Sequence, residues 1–180
     1  MAKEKILTML TTHAANAIIS EKKEIIKEME WVPKRTQSNP QWVEYVSACK
    51  ISSEIREDVM FRAQYRQAKI IAIGEATIEL PEQFNAAICV GPHRIFALDT
   101  EDTPHTNKRG IGLPFHRKKL VCRTHLHIWT DEGYGYAEPI YPPLNSIESL
   151  LEAFFPRANL TFPGDFKHPL QGQQLGLLLL

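Results

Sequence analysis

Between Asp58 and Arg66 the chain alternates. Val59, Phe61, Ala63 and Tyr65 are apolar or aromatic, and Arg62, Gln64 and Arg66 stand between them. A period of two is that of a strand with one buried face. Similar texture predicts strands over residues 42–51 (WVEYVSACKI), 69–80 (KIIAIGEATIEL), 119–129 and about 135–141. Residues 86–90 and 93–98 read as a hairpin around Gly91-Pro92. The short spacings favour an antiparallel, strongly curved sheet.

The period changes at both ends. Over residues 3–29, Ile6, Met9, Leu10, Ala14, Ala17, Ile18, Ile25, Ile26 and Met29 recur in three- and four-residue steps, as on one helix face. This predicts a helix or a helical pair, the second member starting at Ser20 ahead of Glu21-Lys22-Lys23-Glu24. Pro33 to Pro40 is a polar break. A late helix over about 146–155 carries the stripe Ile147, Leu150, Leu151, Phe154, with Asn145 as predicted N-cap and Pro156 as predicted stop. The expectation is an α+β protein: an N-terminal helix or helical pair in segment 1–32, then a curved, mainly antiparallel sheet with one C-terminal packing helix in a β-rich body over 41–163. Its 180 residues suit one domain, 1–180.

Composition narrows the classes. Hydrophobic content of 43% and charged content of 23% are those of a soluble globular protein. Lysine plus arginine equals aspartate plus glutamate at 21 each, which argues against a strongly basic nucleic-acid coat and against an acidic mimic. A local basic cluster survives that balance: Lys108, Arg109, Arg117, Lys118 and Lys119 bracket one loop and can steer a phosphate-bearing partner. Cys49, Cys89 and Cys122 form no CxxC pair, so there is no zinc-knuckle or redox motif, and isolated cysteines suit a reducing cytosol. The first 20 residues lack a signal-peptide core, and Leu175 to Leu180 is too short to span a bilayer. These features predict a cytoplasmic protein with no membrane partner.

The chemistry concentrates in residues 96–138, which hold His105, His116, His125 and His127 among the chain's 7 histidines. In the strand predicted over Lys119–Trp129, Leu120, Cys122, Thr124, Leu126 and Ile128 form the core face. Arg123, His125 and His127 share the opposite, presenting face, about 7 Å between successive members. Two chemistries fit. Neutral imidazoles of a His-x-His pair can bind a metal, with Asp99, Asp102 or His105 as a third ligand. Alternatively, imidazoles act as general acid and base while an arginine stabilises developing negative charge, as cleavage of RNA requires. Walker A, GxGxxG, GxSxG and HExxH patterns are absent.

Asp99 or Asp102, then Pro104-His105, then His125 with His127 resembles the order in TumE-type toxins of bacterial toxin–antitoxin pairs. LDTEDTPHTN followed by THLHIWTDEGYGYAEPI also resembles an uncharacterised family of bacterial and prophage proteins with a closing HxH…EGxG…A signature. The resemblance covers about residues 58–142. It implies a compact RelE-like fold and a metal-independent ribonuclease. The chain departs from the compact toxins in its size and in the long basic loop before His125.

The leading expectation is therefore an RNA-acting protein of toxin–antitoxin or mobile-element origin, needing no metal and no cofactor. His105, His125 and His127 share the acid–base work. Arg123, Arg62 and Arg66 hold the phosphate, and Asp102 and Asn107 complete the binding set. RNA is the expected substrate, and an antitoxin or a host complex the expected protein partner. The alternative is a non-catalytic phage or prophage inhibitor docking on a host complex through its N-terminal helix and basic loop. A third reading is a His/Asp metal site.

Overall fold

The computed structural model describes residues 10–35, 38, 40–101 and 104–171. Asp102, the predicted start of the first helix and the leucine-rich tail lie outside them.

α1 spans Thr12–Ser20, with the Thr11 side chain accepting from the Ala14 N–H at its N-terminus. The predicted second helix is instead an extended segment, β1 (Lys23–Ile25) followed by β2 (Val32–Pro33). Lys23 explains the change. It is 0% exposed, and its Nζ donates to the carbonyls of Ile18, Ile19 and Glu21 at 2.7, 2.9 and 2.6 Å. Carbonyls that a helix leaves unpaired at its C-terminus attract a cation. The buried ammonium closes α1 and turns Lys23 to Ile25 into the sheet.

Then follow β3 (Val43–Ile51), β4 (Glu54–Arg66), β5 (Lys69–Ile73), β6 (Ala76–Leu80), β7 (Gln83–Val90) and β8 (His93–Thr100). Next come β9 (His105–Thr106), β10 (Lys119–Leu120), β11 (Thr124–Thr130), β12 (Gly133–Pro139), α2 (Ile147–Arg157) and β13 (Leu160–Thr161). A 9-stranded, strongly curled sheet runs β12-β11-β8-β7-β4-β3-β1-β13, with β2 beside β3. All its pairings are antiparallel except β1 with β13. The α+β expectation holds: two helices, a mainly antiparallel curved sheet, and the C-terminal helix packed on it.

Two predicted strands are each two elements. Residues 69–80 form the hairpin β5–β6 about Gly74, whose φ of +63° disfavours a side chain, and the pair makes a separate two-stranded sheet. Residues 119–129 break after Leu120: β10 pairs with β9, and β11 begins at Thr124.

The core lies between the sheet and α2. Phe61, Phe96, Ile88 and Leu98 of the strands meet Ile147, Leu150, Leu151 and Phe154 of the helix. Each such fully buried side chain stabilises the fold by about 1.5–3 kcal/mol. The predicted stripe of α2 is the buried one. Its N-cap is Ser146, in a capping box with Ser149, rather than Asn145. Pro156 sits in the last turn, and the helix ends where Asn159 takes φ +46° and donates from its side chain to Ser20.

The opposite face of the sheet carries a polar row beside a small apolar cluster of Ala87, Cys89 and Ala97. Because register places paired residues on the same side, Glu44, Gln64, Asn85, Asp99 and His125 form one row across five strands. Gln64 donates to Glu44 at 3.0 Å, and Asn85 donates to Gln64 at 3.3 Å.

Candidate functional site

The polar row ends in a cluster of histidines. His125 lies directly opposite Asp99 in the β11–β8 register, and His127 is opposite Ala97. His105 arrives from β9, which with the preceding Pro104 folds back over the sheet. Its ring centroid stands 4.6 Å from that of His125 and 5.9 Å from that of His127. His105 is thus brought onto His125 and His127, 20 and 22 residues further along the chain.

The parity reading of this strand is half right. Leu126 and Ile128 pack against the core, and His125 and His127 point the other way. The histidines do not form a presenting face, however: His125 is 0% and His127 7% exposed, because β9 and Tyr134 cover them. Trp129 belongs to the core, where the β11–β12 register shifts, and its Nε1 donates to the Leu10 carbonyl.

A groove of about 670 Å³ opens beside the cluster. His105, His127, Asp99 and Glu101 lie along it with Arg94, Arg66 and Asn85. Trp42 and Tyr134 are its aromatic walls. Arg66 lies 5.3 Å over the Trp42 ring, and Arg94 lies 5.2 Å over the Tyr134 ring. His125 is behind the groove and does not line it.

Asp99 is the hub. His127 Nε2 lies 3.2 Å from its Oδ1, His125 Nδ1 3.7 Å from the same oxygen, and Arg94 Nη2 donates to Oδ2 at 2.7 Å. Burial alone raises a carboxyl pKa, but His125, His127 and Arg94 outweigh it and hold Asp99 well below the ordinary value. His105 moves the other way from its own ordinary value: burial, then the neighbouring His125 and His127, push it down and favour its neutral form. Its Nδ1 stands 3.6 Å from Glu101. Burial also raises the Tyr134 phenol to about 12, so it stays protonated.

The imidazoles are short of hydrogen-bond partners. His105 Nδ1 and Nε2, His125 Nδ1 and Nε2, and His127 Nδ1 are all buried without one. Native interiors rarely leave so many such groups without a partner in one place. Two three-donor sets exist here, Asp99–His125–His127 and Glu101–His105–His125, each with donor atoms within 4.8 Å of one another.

The other predicted site residues fall elsewhere. Arg123 is at the bend before β11, where its Nη2 donates to the Glu82 carbonyl and its guanidinium lies over Phe84, away from the groove lining. Arg62 shares the polar face, in the row Arg62–Ala87–Ala97–His127, but three strand spacings, about 14 Å, separate it from His127. Arg66 reaches the groove. Asn107 is fully buried: its Nδ2 donates to the carbonyls of Phe115 and Ala137, and its Oδ1 accepts from Ala137 N–H. It pins the basic loop to the edge strand instead of facing the groove. Gly110 helps, since a Cβ there would meet the Tyr136 ring at 2.3 Å. The five basic residues of that loop are absent from the groove lining.

Arg94 is the important residue missing from the sequence reading. It is five positions from Asp99, which a period of two assigns to the opposite face. The β7–β8 register shifts between Ile88 and Cys89, so that Ile88 pairs with Phe96 and Cys89 with Arg94. Ile95 is the extra residue, and parity inverts across it. Nothing local in HRIFALD announces the bulge.

No helix among the described residues is long and apolar enough to cross a membrane. No family model, curated protein or solved structure matches the chain.

Proposed function

We propose that this protein acts on RNA and cleaves it by general acid–base catalysis with its own imidazoles. The observation that carries the reading is the pairing of His105 and His127 along one groove whose walls also hold Arg66, Arg94, Trp42 and Tyr134. A volume of several hundred Å³ suits a ligand of nucleotide size. Aromatic walls give unpaired bases a stacking surface, and guanidinium forks match phosphate oxygens.

His105, biased toward its neutral form, takes the proton of a ribose 2′-hydroxyl. The freed oxygen attacks the adjacent phosphorus, the bond to the 5′-oxygen breaks, and protonated His127 gives that oxygen its proton. Asp99 holds the His127 ring in place through Nε2. Arg94, which lines the groove, offers its guanidinium to a phosphate oxygen. His125 supports both rings from behind. The products are a 2′,3′-cyclic phosphate and a 5′-hydroxyl.

The test is cleavage of single-stranded RNA by purified protein in excess chelator. His105→Ala and His127→Ala each lower the rate by about 10²- to 10⁴-fold, and a 2′-deoxy substrate is inert. Wild type that leaves RNA intact, or variants as active as wild type, defeats the reading.

One observation favours a second reading, a non-catalytic factor that docks on a partner complex. The β5–β6 hairpin exposes Ile70, Ile73, Ile78 and Leu80. On that reading Ile73→Asp abolishes partner capture, and the histidine variants leave it intact.

A further inference from the structure

We propose that Asp99, His125 and His127 form a binding site for a divalent transition ion of the zinc class. Their donor atoms lie within 4.8 Å of one another. From Asp99 Oδ1 it is 3.2 Å to His127 Nε2 and 3.7 Å to His125 Nδ1. Donors on a tetrahedral ion with bonds of about 2.1 Å stand about 3.4 Å apart. Small side-chain rotations therefore suffice to bring all three onto one ion.

A second, independent observation points to a ligand. His125 is 0% exposed, and neither of its nitrogens has a hydrogen-bond partner. A buried imidazole left this way is costly, and a bound ion takes up one of its lone pairs. The donor set is selective as well. Two neutral imidazoles and one carboxylate suit zinc-class ions, whereas magnesium and calcium want oxygen throughout.

The scaffold is rigid where a metal site needs it to be. Asp99 and His125 face each other on paired strands, and His127 is two residues along the same strand. Arg94 Nη2 donates to Oδ2 of Asp99, and His127 Nε2 lies 3.1 Å from Oδ2 and 3.2 Å from Oδ1, so the arginine holds the carboxylate against the histidines. The competing set uses Glu101, whose side chain is 48% exposed and well hydrated, so the buried set is preferred.

An ion on His127 occupies a nitrogen of one of the proposed acid–base groups. Loading the site therefore silences RNA cleavage. That consequence rests on the RNA reading, and the binding itself does not.

The experiment uses the full chain, stripped with chelator and then freed of it. Zn²⁺ is titrated by calorimetry and Co²⁺ by visible absorption, and melting is followed with and without Zn²⁺. The expected result is one ion per chain, a Co²⁺ spectrum with nitrogen ligation and a Zn²⁺-dependent rise in Tm. His125→Gln and His127→Gln weaken binding by about tenfold or more, and His13→Ala, an exposed histidine on α1, leaves it unchanged. Circular dichroism checks that the variants fold, and His127→Gln, at the groove, decides if His125→Gln does not. The proposal falls if wild type binds no stoichiometric ion, if His127→Gln binds within about twofold of wild type, or if His13→Ala costs as much. Cleavage is then assayed at saturating Zn²⁺: undiminished activity overturns the silencing, whereas ion binding by a protein that never cleaves RNA removes the RNA reading and leaves the site.

Discussion

The histidine cluster and the β5–β6 hairpin invert the usual placement of side chains in opposite senses. At the cluster, polar rings are buried: His125 is 0% exposed, with its nitrogens unpaired. At the hairpin, apolar side chains are in solvent: Ile70 is 71% and Ile73 57% exposed, on strands that pair only with each other among the described residues. The first inversion costs stability, because buried polar groups lose water without replacement. The second leaves burial energy uncollected, which costs the monomer little. The cluster is held in its unfavourable state by the sheet around it. The hairpin's strands are held by their own ladder, from Lys69 opposite Leu80 to Ile73 opposite Ala76.

That difference can be broken at its strong end first. Removing an imidazole from the groove, by His105→Ala or His127→Ala, is expected to lower RNA cleavage by about 10²- to 10⁴-fold, read as initial rates in chelator. Asp99→Ala is expected to lower stability by about 3 kcal/mol in urea denaturation, because it strands the Arg94 guanidinium beside the histidines. An unchanged midpoint would mean that Asp99 is not the hub.

Acid should also find the cluster before the hairpin. His105 is held below the ordinary 6.5, so as pH falls the unfolded chain binds the proton more readily than the folded one. Its contribution to stability is complete above about pH 6.5 and is lost as pH falls from there through its folded value. Asp99, held well below the ordinary 3.8, contributes above that value and loses its contribution as pH falls further. Denaturation midpoints across pH 3 to 8 are expected to fall in these two windows, and His105→Asn to flatten the upper one.

His125→Leu sharpens the contrast from the other direction. With no ion present, the leucine is expected to change stability by no more than about 1 kcal/mol, relief of the imidazole's unsatisfied nitrogens being set against Asp99's loss of a neighbour that holds it down, while metal binding ends. The smallest effect belongs to the hairpin: Ile70→Thr and Ile73→Lys should each change stability by no more than about 0.5 kcal/mol, measured by thermal melting of the monomer.

Much of this was readable along the chain. Alternation at Val59 to Tyr65 placed a half-buried strand, and the stripe Ile147 to Phe154 placed the packing helix on its buried face. The parity of His125 and His127 put them on the side away from Leu126 and Ile128. These are periodicities of 2 and 3.6, set by backbone geometry within a few residues, so sequence carries them directly. The same local logic failed at Lys23, which reads as part of the opening turn of a second helix and is instead in β1, buried as the cap of α1. It failed at Arg123 too, where the strand had not yet begun.

What the sequence by itself determined is therefore the set of elements and which face of most strands is apolar. Only the tertiary structure decided that Asp99 lies opposite His125, that His105 folds onto both histidines, and that the bulge at Ile95 turns Arg94 onto their side. Register and bulges depend on pairing between segments tens of residues apart, and one inserted residue reverses every side chain beyond it. The histidines were visible as a pattern. Their burial, their carboxylate and their arginine belong to the pairing of strands.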